Sequence, residues 1–221
     1  IAAPGEYDDP QELAAHATGV ISVIASIRAQ DSYIDKPIRT SYASVADRWT
    51  DNYDNRDLAV NNGVSPTLVK SGKITLQNVI TFYRPEDVAP ESNGYRSVRN
   101  SKITQNILAN RRANYEREKW KQITIVEDVN NVTSAIDKRK ARDVDSVIDD
   151  ELALADTFAG KAWLYTASYT KEQIASDPSL VTTRSGLTGF DISVPYIYSG
   201  EGGILNQDVR IDTSIAILGG E

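Results

Sequence analysis

The chain has 221 residues, a net charge of −7, no Cys, no Met and one His. These counts exclude disulfides, thiolate metal sites, iron–sulfur clusters and multi-histidine metal sites, and His16 is the only imidazole available to a Ser/His triad. An isoelectric point near 4.9 argues against a general nucleic-acid binder, which needs a basic footprint.

A chain of this length predicts one or two domains and can bury roughly 70% of its unfolded surface. It begins Ile1-Ala2-Ala3-Pro4-Gly5, without an initiator Met, so a trimmed product or part of a longer protein is expected. No run approaches the roughly 18 apolar residues of a membrane span. Asp9-Pro10-Gln11-Glu12 has the cap, first-position proline and capping-box spacing of a helix start. Leu13, Ala17, Val20, Ile24 and Ile27 then predict an amphipathic helix over 10–28, with His16 beside the stripe as a partly buried core histidine.

Residues 31–57 are polar and irregular. A calcium loop over Asp51–Asp57 fails the EF-hand spacing, because Tyr53 takes the third position and Arg56 stands where the turn glycine is required. A solvated loop is expected there. Asn62-Gly63 and Ser71-Gly72 mark turns, and Lys73–Tyr83 alternates as a half-buried strand. A loop follows over 84–94, then a long helix over 98–120 with Ile103, Ile107, Leu108, Tyr115 and Trp120 as apolar contacts.

Between Arg96 and Lys121 eight residues are basic and two acidic, the one strongly basic element of the chain. Two readings stay open for it: a solvated helix face, or a contact surface for an acidic partner. Ile123–Val126 reads as a short strand. A second basic cluster, Lys138-Arg139-Lys140-Ala141-Arg142, is too short and isolated for a nucleic-acid patch. The acid-rich residues after it, with Val144, Val147, Ile148, Leu152, Ala155 and Phe158 as the apolar steps, predict a helix stopped by Gly160. Leu187–Tyr198 and Val209–Ile217 read as strands joined by the glycine-rich Ser199–Gly203, a candidate hinge. Val209, Ile211, Ile215 and Ile217 share one face of the last strand, which suits pairing with a sheet edge.

Catalytic motifs are missing. Gly72-Lys73 and Gly160-Lys161 lack the Ser/Thr and upstream Gly of a phosphate loop, and there is no dinucleotide fingerprint and no Gly-x-Ser-x-Gly elbow. Asp and Glu pairs are too numerous for any one to stand out as a hydrolase pair. No catalytic, cofactor-binding or metal residue is assigned.

The stretch Asn61-Asn62-Gly63-Val64-Ser65, followed by Gly72-Lys73-Ile74-Thr75-Leu76-Gln77-Asn78-Val79-Ile80-Thr81-Phe82-Tyr83, resembles a segment of contractile phage tail sheath proteins. Tyr95-Arg96-Ser97-Val98-Arg99-Asn100 opening a long helix, Glu118-Lys119-Trp120 at its end and the closing Asp208-Val209-Arg210-Ile211-Asp212 continue the likeness. It covers residues 60–217 as an ordered pattern.

The resemblance implies an α+β fold: a mixed sheet flanked by helices, with a long helix and a C-terminal β-strand arm. Residues 1–60 would be the N-terminal part of the core and 61–221 the sheath C-terminal domain, within one compact domain. It further implies a non-enzymatic structural subunit without cofactor, which polymerises helically around the tail tube and contracts to drive the tube through the host envelope. Its partners would be other sheath subunits, the tail tube protein, and baseplate and tail terminator proteins. No nucleic acid and no direct membrane insertion are expected. Its location would be the virion tail, after assembly in the host cytoplasm.

Val209, Ile211, Ile215 and Ile217 would form the inter-subunit arm. Charge alone nominates Arg111, Arg112, Arg117, Lys138, Arg139, Lys140 and Arg142 as tube-facing. Family members are generally longer, so a core portion without its amino-terminal arm is expected. The alternative is a baseplate or other phage assembly protein that binds partners without polymerising.

Overall fold

The structure, a computed structural model, describes residues 3, 10–39, 48–81 and 97–200. Among them run α1 (Pro10–Ser26), α2 (Tyr53–Asn61), β1 (Thr67–Lys70), β2 (Lys73–Leu76), α3 (Val98–Tyr115) and β3 (Thr124–Ile125). Then come α4 (Ala135–Lys138), β4 (Ala141–Arg142), α5 (Val144–Gly160), α6 (Ser168–Ser176), β5 (Val181–Thr183) and β6 (Phe190–Ile192). The fold is α+β. Its described strands form three two-stranded ladders instead of one mixed sheet: β1–β2 and β5–β6 antiparallel, β3–β4 parallel. Strands this short offer no continuing edge, so each pair packs on helices.

The expected strand over Lys73–Tyr83 is therefore half of a hairpin, turned at Ser71-Gly72, with both turn residues at positive φ. It ends at Leu76, and Ile80 makes a separate bridge to Ser97. Phe82, Tyr83 and the expected 84–94 loop lie outside the described residues.

The first core gathers Val20 of α1, Tyr33, Ile38, Ile74, Leu76 and Val79. Residues 35–38 hydrogen-bond along β2, with Asp35 N donating to Leu76 O at 2.9 Å and Ile38 N to Ile74 O at 2.8 Å. Residues from both sides of position 60 thus share one core. The buried residues of α1 are His16, Gly19 and Val20, while Leu13 at the head of the expected stripe is exposed. Gly19 explains the rotation: a Cβ there would sit 2.5 Å from Ile38 Cγ2. Burial holds the His16 imidazole below its ordinary pKa.

α3 connects three cores. Val98 packs on the first, Ile103 and Ile107 enter the second with Phe158, Trp163 and Leu164, and Tyr115 packs on the third around Val147, Ile174, Val181 and Val194. Burying one such aliphatic side chain contributes about 1.5–3 kcal/mol. The helix stops at Tyr115 rather than Trp120, and one 3₁₀ turn, Glu118–Trp120, follows.

α5 starts where the sequence predicts. Asp143 Oδ1 accepts from Ser146 N at 2.9 Å, and Oδ2 accepts from Val129 N at 2.9 Å, fastening the β3–β4 connection to the helix start. Burial opposes the Asp143 charge, but these bonds outweigh it and its pKa lies below the usual carboxylate value.

The end of α5 is different from expectation. Gly160 is the last helical residue and Lys161 the cap, while Ala162 takes the left-handed conformation at φ 56°. Trp163 N donates to Phe158 O at 3.0 Å and Ala162 N to Ala159 O at 2.9 Å, the paired bonds of a Schellman stop. Trp163 stacks on Phe158 with ring centroids 5.7 Å apart, closing the motif with an apolar contact.

Two further differences concern loops and strands. Asn52 caps α2 through Asp54 N at 2.9 Å, so the end of the stretch read as a solvated loop is helical. Of the strand expected over Leu187–Tyr198, only Phe190–Ile192 forms, with a single bridge from Tyr198 to Leu164. Arg184 and Asp191 pair at 2.7 Å and hold the β5–β6 hairpin closed.

Candidate docking surface

α5 presents two neighbouring carboxylates to α3. Glu151 is fully buried: its Oε1 accepts from Arg111 Nε at 3.1 Å and Tyr115 OH at 2.8 Å, and its Oε2 from Tyr196 OH at 2.9 Å. Burial, then the Glu151 charge, pushes the pKa of both tyrosines up, so both hydroxyls stay protonated donors. Asp150 accepts from Lys119 Nζ at 2.6 Å, Trp120 Nε1 at 2.8 Å and Asn114 Nδ2 at 2.9 Å. Burial opposes its charge, yet these three donors together hold its pKa below the usual value.

Trp120 is the join between the two basic stretches. Its ring meets Tyr115 edge-on at 5.1 Å and Phe190 at 6.3 Å. The Arg142 guanidinium stands over it at 5.6 Å, and Arg142 Nη2 donates to Lys119 O at 2.8 Å. The β3–β4 ladder brings the partners together, with Thr124 N donating to Lys140 O at 2.9 Å. Segments about twenty residues apart in sequence become neighbours.

The nominated cations divide by environment. Arg111 turns inward to Glu151, with its side chain 18% exposed. Arg142 is half-buried against Trp120 and donates to backbone carbonyls. Arg112 is exposed but pairs with Glu116 at 2.7 Å. Arg117, Lys138, Arg139 and Lys140 are exposed and make no ion pair among the described residues. At Arg117, between α3 and α5, lies a groove of about 310 Å³ with Ala113, Ala153 and Leu154 as its apolar part and Arg117, Lys119 and Lys161 as its cations. The sequence reading did not include Lys161, since it lies outside both clusters and only the helix packing brings it in.

A second arrangement fastens Ser199 to α3 and to the residues that end α5. Arg99, 3% exposed, reaches Gln30 O at 2.9 Å, Ser199 O at 2.5 Å and Ser199 Oγ at 2.8 Å. Ser199 Oγ also donates to Ala162 O at 2.6 Å, and Ser199 N to Trp163 O at 3.0 Å. The Ser199 end of the expected hinge is therefore pinned. Glu201, Gly202 and Gly203, together with the arm residues Val209, Ile211, Ile215 and Ile217, lie outside the described residues.

Among the described residues no group of three or more His, Cys, Asp or Glu could hold a metal ion, and no helix is long and apolar enough to cross a membrane. No family model matches the chain, and no curated protein matches it.

Proposed function

We propose that this chain is a structural subunit of a contractile tail sheath, non-enzymatic and without cofactor. It polymerises helically around a tail tube in the virion and contracts to drive the tube through the host envelope. The ordered pattern over residues 60–217 supports this reading. The observation that carries it furthest is the joining of two basic stretches across Trp120 on a chain of net charge −7. Lys138, Arg139 and Lys140, exposed and without an ion pair among the described residues, suit weak, salt-sensitive contact with an acidic tube. Such contacts release easily, which a contracting sheath requires.

The proposed partners are other sheath subunits, the tube protein, and baseplate and terminator proteins. Val209, Ile211, Ile215 and Ile217 are the proposed inter-subunit strand. Electron microscopy of the full-length protein should reveal tubes or long polymers, and deletion from Asp208 onward should abolish them. Normal tubes after the deletion would remove the strand role. A full-length protein that stays monomeric in sedimentation while binding tail components would favour the non-polymerising assembly protein. Charge reversal at Lys138, Arg139 and Lys140 should weaken tube binding more at low salt than at high salt, and unchanged binding would remove the tube-contact role.

A further inference from the structure

We infer that the groove between α3 and α5 receives α2 of a second copy of this chain, in a head-to-tail contact. This rests on the sheath reading only for the shape of the polymer that results. The groove carries three cations, Arg117, Lys119 and Lys161, against one carboxylate, Asp150; Lys161 Nζ donates to Asn110 Oδ1 at 3.0 Å and stands 4.6 Å over the Trp163 ring, neutral partners that leave the groove two formal positive charges in excess. Asp150 is already engaged with Lys119, Asn114 and Trp120. The apolar part of the groove is Ala113, Ala153 and Leu154.

α2 has the matching surface. Asp54, Asp57, Leu58 and Asn61 fall at i, i+3, i+4 and i+7, one face of the helix. Asp54 and Asp57 are exposed and make no ion pair among the described residues, although Asp57 Oδ2 accepts from Asn61 Nδ2 at 3.0 Å, and Leu58, 63% exposed, follows Asp57 one turn after Asp54. Arg56, the cation of this helix, lines the same crevice as Asp57, where it stands over the Tyr53 ring and donates to Thr50 O without an ion pair to Asp57. Two carboxylates in the turn before an exposed leucine thus face a groove whose Arg117 and Lys161 meet no carboxylate among the described residues, with Ala113, Ala153 and Leu154 as its apolar part. Buried Leu58 would supply the apolar contact, and the carboxylates its register.

One copy cannot make this contact with itself. α2 lies beside Gln77 and Asn78, with which it lines a crevice, and α3 begins next to them, where Val98 N donates to Val79 O at 3.2 Å. The groove starts at Asn110, twelve residues further along α3, which is about 18 Å at the helical rise. Donor and acceptor surfaces therefore sit toward opposite ends of the same helix. A contact between different surfaces on identical chains propagates into filaments unless its rotation closes a ring.

The test is charge exchange, read by sedimentation of the full chain over a range of concentrations at low salt. Asp54→Lys with Asp57→Lys, and separately Arg117→Glu with Lys161→Glu, should each weaken self-association by about tenfold or more. Carrying all four changes in one chain should restore it to within about threefold, because the charges are exchanged rather than lost. The neutral pairs Asp54→Asn with Asp57→Asn and Arg117→Gln with Lys161→Gln should give smaller losses, and they keep the test open if a reversal unfolds the chain. Unchanged association in the single-surface variants, or no recovery in the fourfold variant, overturns the contact. Normal tubes from both reversal variants would overturn it while leaving the sheath reading intact. Salt-sensitive, reversal-sensitive association that never forms tubes would support the contact and overturn the sheath reading.

Discussion

The two ends of α3 bury positive charge by different means. Near its start, Arg99 and Lys102 meet main-chain oxygens: Arg99 those of Gln30 and Ser199, Lys102 those of Ile24 at 2.9 Å and Ile27 at 2.6 Å. α1 has no basic residue in its last turn, and Lys102 closes that helix end from across the interface. Near its C-terminal end, Arg111 and Lys119 meet the carboxylates Glu151 and Asp150. The first arrangement positions chain segments and carries a net charge into the core. The second neutralises charge and links α3 to α5. Their responses to mutation and pH should differ accordingly.

The largest effect is expected at the carboxylate end. Glu151→Ala leaves Arg111 without its buried partner and removes the acceptor of Tyr115 and Tyr196, a loss of about 3–5 kcal/mol in denaturant unfolding. A loss below about 1 kcal/mol would mean that the network contributes little to the fold.

At the other end, Arg99→Leu should cost about 2 kcal/mol, since the oxygens of Gln30 and Ser199 lose a donor while no carboxylate is left charged and alone. It should also free the Ser199 segment, seen as faster amide exchange at Ser199 and at Tyr165, whose N–H donates to Ile197 O. Unchanged exchange would show that Ser199 is held by its bonds to Ala162 and Trp163 alone.

Alkaline pH should separate the ends further. Tyr115 and Tyr196 have folded pKa values raised above the ordinary value near 10. Above that pH the unfolded chain releases protons that the fold retains, so their contribution is complete below about 10 and is lost as pH rises. Replacing both by Phe should flatten the fall in stability above that pH. A fall equally steep in the double variant would place its origin elsewhere.

The smallest effect is stabilising. Ala162→Gly relieves the left-handed Schellman position, φ 56°, and should raise stability by about 1 kcal/mol. Gly160→Ala, within the last helical turn and with open space at Cβ, should stabilise by a similar or smaller amount. A loss from Gly160→Ala would return the stop to that glycine.

Local signals account for what the sequence made legible. The span of α5 follows from its apolar steps and from Asp143, a cap satisfied by residues three positions away. The start of α3 and the Ser71-Gly72 turn are local in the same sense. α2 was missed because its cap, Asn52, stands in a run of polar residues without an apolar stripe, and none of its residues is buried. α6 escaped because only Thr170 and Ile174 of its nine residues face a core.

The sequence by itself determined which residues are charged, where the basic stretches lie, and the starts of α1, α3 and α5, since periodicity and caps act within a turn or two. Only the tertiary structure decided which charges remain for a partner. Of the basic residues over 97–121, Arg99 and Lys102 serve backbone oxygens, Arg111, Arg112, Lys119 and Lys121 meet carboxylates, and Arg117 remains exposed without an ion pair among the described residues. Arg111 and Arg117 are one basic residue type in one basic segment, yet one faces a buried glutamate forty positions away and the other faces solvent. That difference comes from packing between distant segments, to which no local pattern is sensitive.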